Sequence, residues 1–177
     1  MKILIVGPSW VGDAVMAQTL YKLIKDSNKD AQIEVLSPNW SMPILERMEE
    51  VSRSIISPFN HGELKIKARF DFGKQLREEG YERAIVMTNS LKSSLIPFFA
   101  KIPVRTGWLG EMRIGLINDL RAKEMSNYPL MIEQFAKLSI NPNEDLKKSL
   151  PYPSLSVDSR NLKEQLVKLG INSENLP

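Results

Sequence analysis

Gly7 and Gly12 bracket the segment GPSWVGDAVMA, residues 7–17, at the spacing of a phosphate-cradling G-x-x-x-x-G-K-[ST] loop. Asp13 and Ala14 stand where that loop keeps its lysine and its hydroxyl. A carboxylate there repels the phosphate that a helix N-terminus attracts, so a different chemistry is indicated. Held at the edge of a cleft, it can take the proton of an attacking hydroxyl, as a general base does. The competing role for Asp13 is a helix N-cap, which aspartate favours and whose charge suits the helix dipole. Trp10, between the two glycines, suits stacking on a sugar ring or folding under the domain, and Gly12 permits close backbone approach by a ligand.

Two further clusters carry chemistry. In TNSLKSSL, residues 88–95, Asn89, Ser90 and Lys92 offer groups for sugar hydroxyls or a phosphate. The same residue types serve equally as caps and turn formers. In RTGWLGEMR, residues 105–113, Arg105 and Arg113 surround Trp108 and two glycines. Guanidinium forks match carboxylates and phosphates; a structural salt bridge is the alternative for Arg105, while Arg113 in the irregular stretch reads as the more ligand-directed. Lys65, Lys67 and Arg69 alternate, so a helix spreads them around a solvated surface, with Lys65 and Arg69 the closer pair. His61 has no serine and aspartate spacing around it and is assigned no catalytic role.

The elements that must position these residues follow from periodicity. The apolar run KILIV, residues 2–6, reads as a buried parallel strand, and residues 13–27 repeat apolar side chains at helical spacing. Further strands are expected at 33–36, 53–57, 84–88 and 104–107, with helices at 40–48, 64–79 (stopped by Gly80), 90–100 and 128–138. Residues 109–125 show no regular pattern. The alternation predicts an α/β fold: one Rossmann-like parallel sheet of at least five strands, flanked by helices. Both the Gly7–Gly12 loop and Asn89 then sit beyond the carboxyl ends of strands, where such sheets bind ligands. After Ser139 the chain becomes rich in Pro, Ser, Asn and charge, and is expected to pack poorly or lean on a neighbour before a last helix at 161–169.

Composition narrows the classes. The 177 residues are 42% hydrophobic and 25% charged, as in an ordinary globular domain. Zero cysteines exclude a disulfide scaffold and thiol catalysis, and one histidine argues against a multi-histidine metal site. The opening ILIVG is too short for a secretory signal, and SLIPFFAKIPV is too short and broken for a membrane span, so a cytoplasmic location is expected. The net charge is +3, and the excess lies in residues 60–125, with twelve basic against eight acidic side chains. A surface there suits an anion or is simply solvated.

The words MKILIVGPSWVGDAVMAQTLYKLIK, IEVLSPNWSMPILERMEEV, ERAIVMTNSLKSSLIPFFAKIPVRTGWLGEMR and LINDLR closely resemble the N-terminal half of glycosyltransferase family 9, the heptosyltransferases of lipopolysaccharide synthesis. The resemblance covers most of residues 1–140 in register. It implies the N-terminal domain of a GT-B enzyme, in which two Rossmann-like domains face each other across a cleft with no metal or cofactor. On that basis residues 1–150 form the acceptor-binding domain, and 151–177 the interdomain linker and the start of a C-terminal nucleotide-sugar domain that the sequence lacks. The implied reaction transfers L-glycero-D-manno-heptose from ADP-heptose to the first heptose of the lipopolysaccharide inner core, with inversion. Asp13 falls on the family's proposed catalytic base. The expected acceptor-binding set is Trp10, Gly12, Asn89, Ser90, Lys92, Arg105 and Arg113. Expected partners are the inner-core acceptor, ADP-heptose in the full-length protein and peripheral contact at the cytoplasmic face of the inner membrane, with no nucleic acid. Without the donor domain the chain alone is expected to be inactive. A non-catalytic carbohydrate- or anion-binding module, or a nucleotide-binding Rossmann domain, is the competing reading.

Overall fold

The computed structural model describes residues 1–60, 62–157 and 159–171. Among the described residues six strands form one sheet: β1 (Lys2–Val6), β2 (Gln32–Ser37), β3 (Val51–Ile56), β4 (Arg83–Val86), β5 (Val104–Trp108) and β6 (Asp119–Arg121). Their order is β3-β2-β1-β4-β5-β6 and every pairing is parallel. The helices are α1 (Val11–Met16), α2 (Gln18–Ser27), α3 (Met42–Leu45), α4 (Ile66–Leu76), α5 (Leu91–Phe99), α6 (Met131–Lys137) and α7 (Ser159–Lys168). The expected Rossmann-like α/β architecture is what the chain adopts.

Burial of both sheet faces explains why β1 is apolar along its whole length. Ile3 and Ile5 pack with Leu20, Tyr21 and Ile24 of α2, Leu45 of α3 and Phe135 of α6. Leu4 and Val6 point the other way, into a core built with Leu76 of α4 and Ile96 of α5. Ile3, Leu4 and Ile5 are wholly buried, and each such side chain contributes about 1.5–3 kcal/mol of burial free energy. Helices α4 and α5 touch at Gly73, where a Cβ atom would lie 2.7 Å from Phe99 Cβ and 2.9 Å from the Ile96 carbonyl. Only glycine admits that approach. Gly80, at φ 70°, ends the turn that follows α4, as expected.

Three local departures have physical causes. The helix expected over 13–27 starts earlier, at Val11, and is divided at Ala17, whose carbonyl accepts from both Leu20 and Tyr21 N–H. β6 appears inside the stretch read as irregular: three residues suffice because Thr106, Gly107 and Trp108 of β5 supply a ready ladder. Residues 151–156 keep most of their side chains exposed, as poor packing implies, but their backbone is tied to the domain by hydrogen bonds. Thr19 Oγ1–H donates to the Pro151 carbonyl (2.7 Å), Gln18 both donates to and accepts from the Ser154 backbone, and Ser156 N–H reaches the Arg47 carbonyl (2.8 Å). Residues 158 and 172–177 of the expected linker, and His61, lie outside the described residues.

The order of strands reverses at β1, with β2 on one side and β4 on the other. The connections leaving the two central strands therefore part from each other and leave a crevice at the carboxyl end of the sheet.

Candidate functional site

A cavity of about 750 Å³ occupies that crevice. Its walls come from the ends of the strands and the residues that follow them: Gly7 to Trp10 after β1, Ser37 at the end of β2 and Pro38 after it, Ser57 after β3, Thr88 to Ser90 after β4, with Trp108 from the end of β5. Asp13, Lys92, Arg69, Lys123 and Phe135 complete the parts that matter chemically. The lining is mostly apolar and aromatic with a few polar groups converging on it, the usual make-up of a small-molecule site.

Asp13 is the third residue of α1, and Trp10 takes the N-cap position without a side-chain cap. The capping role weighed for Asp13 therefore does not hold, because the helix begins two residues before it. Its carboxylate is partly buried, lines the cavity, and takes part in no hydrogen bond or ion pair among the described residues. A negative charge in the first turn suits the helix dipole, so it remains stable there as an available acceptor.

The loop that leads into α1 is pinned from the end of β2 and the turn after it. Ser37 Oγ–H donates to the Pro8 carbonyl (3.3 Å), and Trp40 Nε1–H donates to the Ser9 carbonyl (2.9 Å). A Cβ atom on Gly7 would lie 3.1 Å from Val35 Cγ1, so that glycine keeps the loop close to β2. Trp10 and Trp40 both line the cavity while remaining 74% and 56% exposed. Two aromatic faces thus stand at its mouth.

Asn89, Ser90 and Lys92 also line the cavity. Ser90 occupies the N-cap position of α5, but its side chain does not cap; Glu111 instead accepts the Leu91 N–H (2.8 Å) from across the loop. The remaining expected site residues lie elsewhere. Gly12 is exposed, off the lining, and has open space where a Cβ would stand. Arg105 turns away: its guanidinium donates to the carbonyls of Leu116 and Ile102, each at 2.6 Å, and lies over the Phe98 ring. Arg113 is fully buried, donating to the Thr88 carbonyl (2.8 Å), to Asn89 Oδ1 (2.9 Å) and to the Trp108 carbonyl. Burial works against the Arg113 charge, and Glu111 nearby supports it. Neither arginine presents its fork to the cavity.

Sequence reasoning passed over Arg69, Trp40 and Lys123. Arg69, read as solvated, is buried against the cavity with its fork on the carbonyls of Leu64 (2.7 Å) and Glu63 (2.8 Å), over the Phe59 ring at 4.1 Å. The signal for Trp40 was its place after a strand, at the same end of the sheet as the glycine loop. Nothing in the local sequence distinguishes Lys123.

The arrangement offers a proton acceptor, two sugar-sized aromatic platforms and several cations around one crevice. Residues 69–176 match the model of the family described as glycosyltransferase family 9 (heptosyltransferase). The chain is 48% identical over 162 residues to lipopolysaccharide heptosyltransferase 2 of Salmonella typhimurium, covering 89% of this chain and 47% of that protein. It is 44% identical over 179 residues to lipopolysaccharide heptosyltransferase 2 of Escherichia coli K12, covering 98% of this chain and 51% of that protein. A solved structure described as E. coli ADP-heptose lps heptosyltransferase II superposes with a TM-score of 0.89 at 41% identity, over 98% of this chain and 52% of that one. The chain thus spans about half the length of the curated relatives it matches. Sequence and fold agree on one membership: the chain belongs to glycosyltransferase family 9.

Proposed function

We propose that this chain is the acceptor-binding half of a lipopolysaccharide heptosyltransferase, with Asp13 as the general base. The observation that carries the reading is a part-buried carboxylate, unpartnered among the described residues, at the switch point of a family 9 fold, beside two exposed tryptophans. In the reaction Asp13 takes the hydroxyl proton of the first inner-core heptose. The freed oxygen pair attacks the anomeric carbon of ADP-heptose, the bond from that carbon to phosphate oxygen breaks, and ADP leaves with the bonding pair. Configuration inverts. Trp10 and Trp40 receive the apolar faces of acceptor sugars, while Asn89, Ser90 and Lys92 address their oxygens.

The donor is held mainly by the part of the relatives' length that this chain does not span. Residues 1–150 form the acceptor domain, and 151–177 lead from it towards the donor domain. The reaction takes place at the cytoplasmic face of the inner membrane, where the lipid-linked acceptor resides; no helix among the described residues is long and apolar enough to cross a membrane.

Isothermal titration tests the assignment. A deacylated inner-core oligosaccharide ending in heptose should bind this chain, whereas ADP should bind poorly. Tight ADP binding with no oligosaccharide binding would make the crevice a nucleotide site and overturn the proposal.

A further inference from the structure

Asn89 is exposed on the cavity wall, yet its amide is not free to choose its orientation. Arg113 has donors only, so the Asn89 atom that meets Arg113 Nη2 at 2.9 Å has to be the carbonyl oxygen Oδ1. The NH2 group then points to the other side, and it donates to no group among the described residues. Arg113 itself cannot drift. It is wholly buried, and two further Nη–H groups donate to the Thr88 and Trp108 carbonyls. Its Nε–H is buried and has no partner among the described residues. Gly110 lies beside the Asn89 amide: a Cβ atom there would stand in ordinary contact, 3.6 Å from both Nδ2 and Oδ1.

We infer that Arg113 is a positioning residue that fixes Asn89 as a hydrogen-bond donor towards the cavity. The site thereby selects an acceptor oxygen, from a sugar hydroxyl, a carboxylate or a phosphate, at that point. This rests on the acceptor-site reading for the identity of the ligand, but the orientation itself does not. An arginine at 113 thus acts on recognition without touching the ligand.

Two measurements keep the two ideas apart. In the ligand-free chain, the Asn89 side-chain amide resonances, assigned by their loss in Asn89→Asp, should be displaced from ordinary exposed asparagines. Arg113→Lys should return them to the ordinary position. Resonances that are ordinary in the wild type, or unmoved by Arg113→Lys, would overturn the inference whatever the ligand. In titrations with the heptose-ended oligosaccharide, Arg113→Lys and Asn89→Ala should each weaken binding about tenfold, roughly one lost hydrogen bond. The double variant should bind no worse than the weaker single one, although Arg113→Lys lowers Tm in both backgrounds. A further tenfold loss on adding Arg113→Lys to Asn89→Ala would show that Arg113 does not act through Asn89.

Should Arg113→Lys fail to fold, Asn89→Asp decides. Its carboxylate still accepts from Arg113 but turns an acceptor to the cavity, so binding should fall at least about tenfold while Tm holds or rises. Wild-type affinity in Asn89→Asp would refute the inference. Absence of oligosaccharide binding by the wild type would sink the acceptor reading alone, leaving the resonance test to judge the orientation.

Discussion

The two ends of the sheet treat charge in opposite ways. Towards the amino-terminal ends, Glu34 on β2 is buried and fully engaged: Tyr81 O–H donates to it at 2.5 Å, with Arg53 at 2.6 Å and Lys2 at 3.1 Å. Glu79 closes the circuit by pairing with Lys2 (2.7 Å) and Arg53 (3.0 Å). At the carboxyl end, the Asp13 carboxylate and the Asn89 NH2 have no partners among the described residues, and two tryptophans stand exposed. A buried charge costs several kcal/mol unless it is paired, so the first end has the arrangement that folding requires. The second leaves the Asp13 carboxylate and the Asn89 NH2 unanswered among the described residues at the edge of a cavity, where something from outside can answer them. On the proposed reading, stability and recognition separate by position along the same strands.

The sharpest way to break this contrast is Asp13→Asn in an enzyme carrying both halves. General-base catalysis contributes about 10²–10⁴-fold, so kcat should fall by that factor. Tm should barely move, because Asp13 caps nothing. Near-wild-type turnover would remove Asp13 from the chemistry. At the other end, Glu34→Ala should do the reverse. It leaves the Tyr81 hydroxyl without its acceptor and Lys2 and Arg53 with Glu79 alone, and should cost about 2–3 kcal/mol, less than a deeply buried pair because Arg53 is half-exposed and keeps Glu79. Denaturant unfolding measures the loss, and oligosaccharide affinity of the folded fraction should stay unchanged.

Acid loosens the same cluster without a mutation. Hydrogen bonds from Lys2 and Arg53 hold the Glu79 carboxyl below its ordinary value of 4.5. The unfolded chain therefore takes up that proton at higher pH than the folded one. The stabilisation is complete above 4.5 and is lost as pH falls through the lower folded value. Tm measured against pH should show this fall, and Glu79→Gln should flatten it; an unchanged acid limb in that variant would place the loss elsewhere. The smallest effect belongs to Gly12→Ala. With open space for a methyl group in α1, it should stabilise by about 0.4–1 kcal/mol and leave oligosaccharide binding intact. Lost binding would return Gly12 to the site.

Much of this layout was legible before any coordinates. The runs of β1, β2 and β4 declare themselves because both sheet faces are buried, and Gly80 marks a helix end by the geometry only glycine takes easily. β6 escaped notice because Asp119 and Arg121, two of its three residues, are charged and pair with each other (2.8 Å) instead of packing. The arginines were the hardest to place. Residues 109–117 form an irregular loop with few ladder partners, so its carbonyls and those around it need donors, and Arg105 and Arg113 supply them. Arg69 does the same for residues 63 and 64. From sequence, an arginine that fills a loop's vacant acceptors looks the same as one that awaits a ligand.

The three tryptophans divide between the core and the mouth of the crevice: Trp108 is 3% exposed, whereas Trp10 and Trp40 face outwards. The protein therefore carries two optical reporters with different subjects. Emission from Trp108 should be blue-shifted by its burial and follow the integrity of the sheet. Emission from Trp10 and Trp40 should lie further to the red and follow what comes to rest against them. With Trp10→Phe and Trp40→Phe as references, folding and occupancy can be recorded in one cuvette, the shared wall position of Trp108 being corrected for by the double variant.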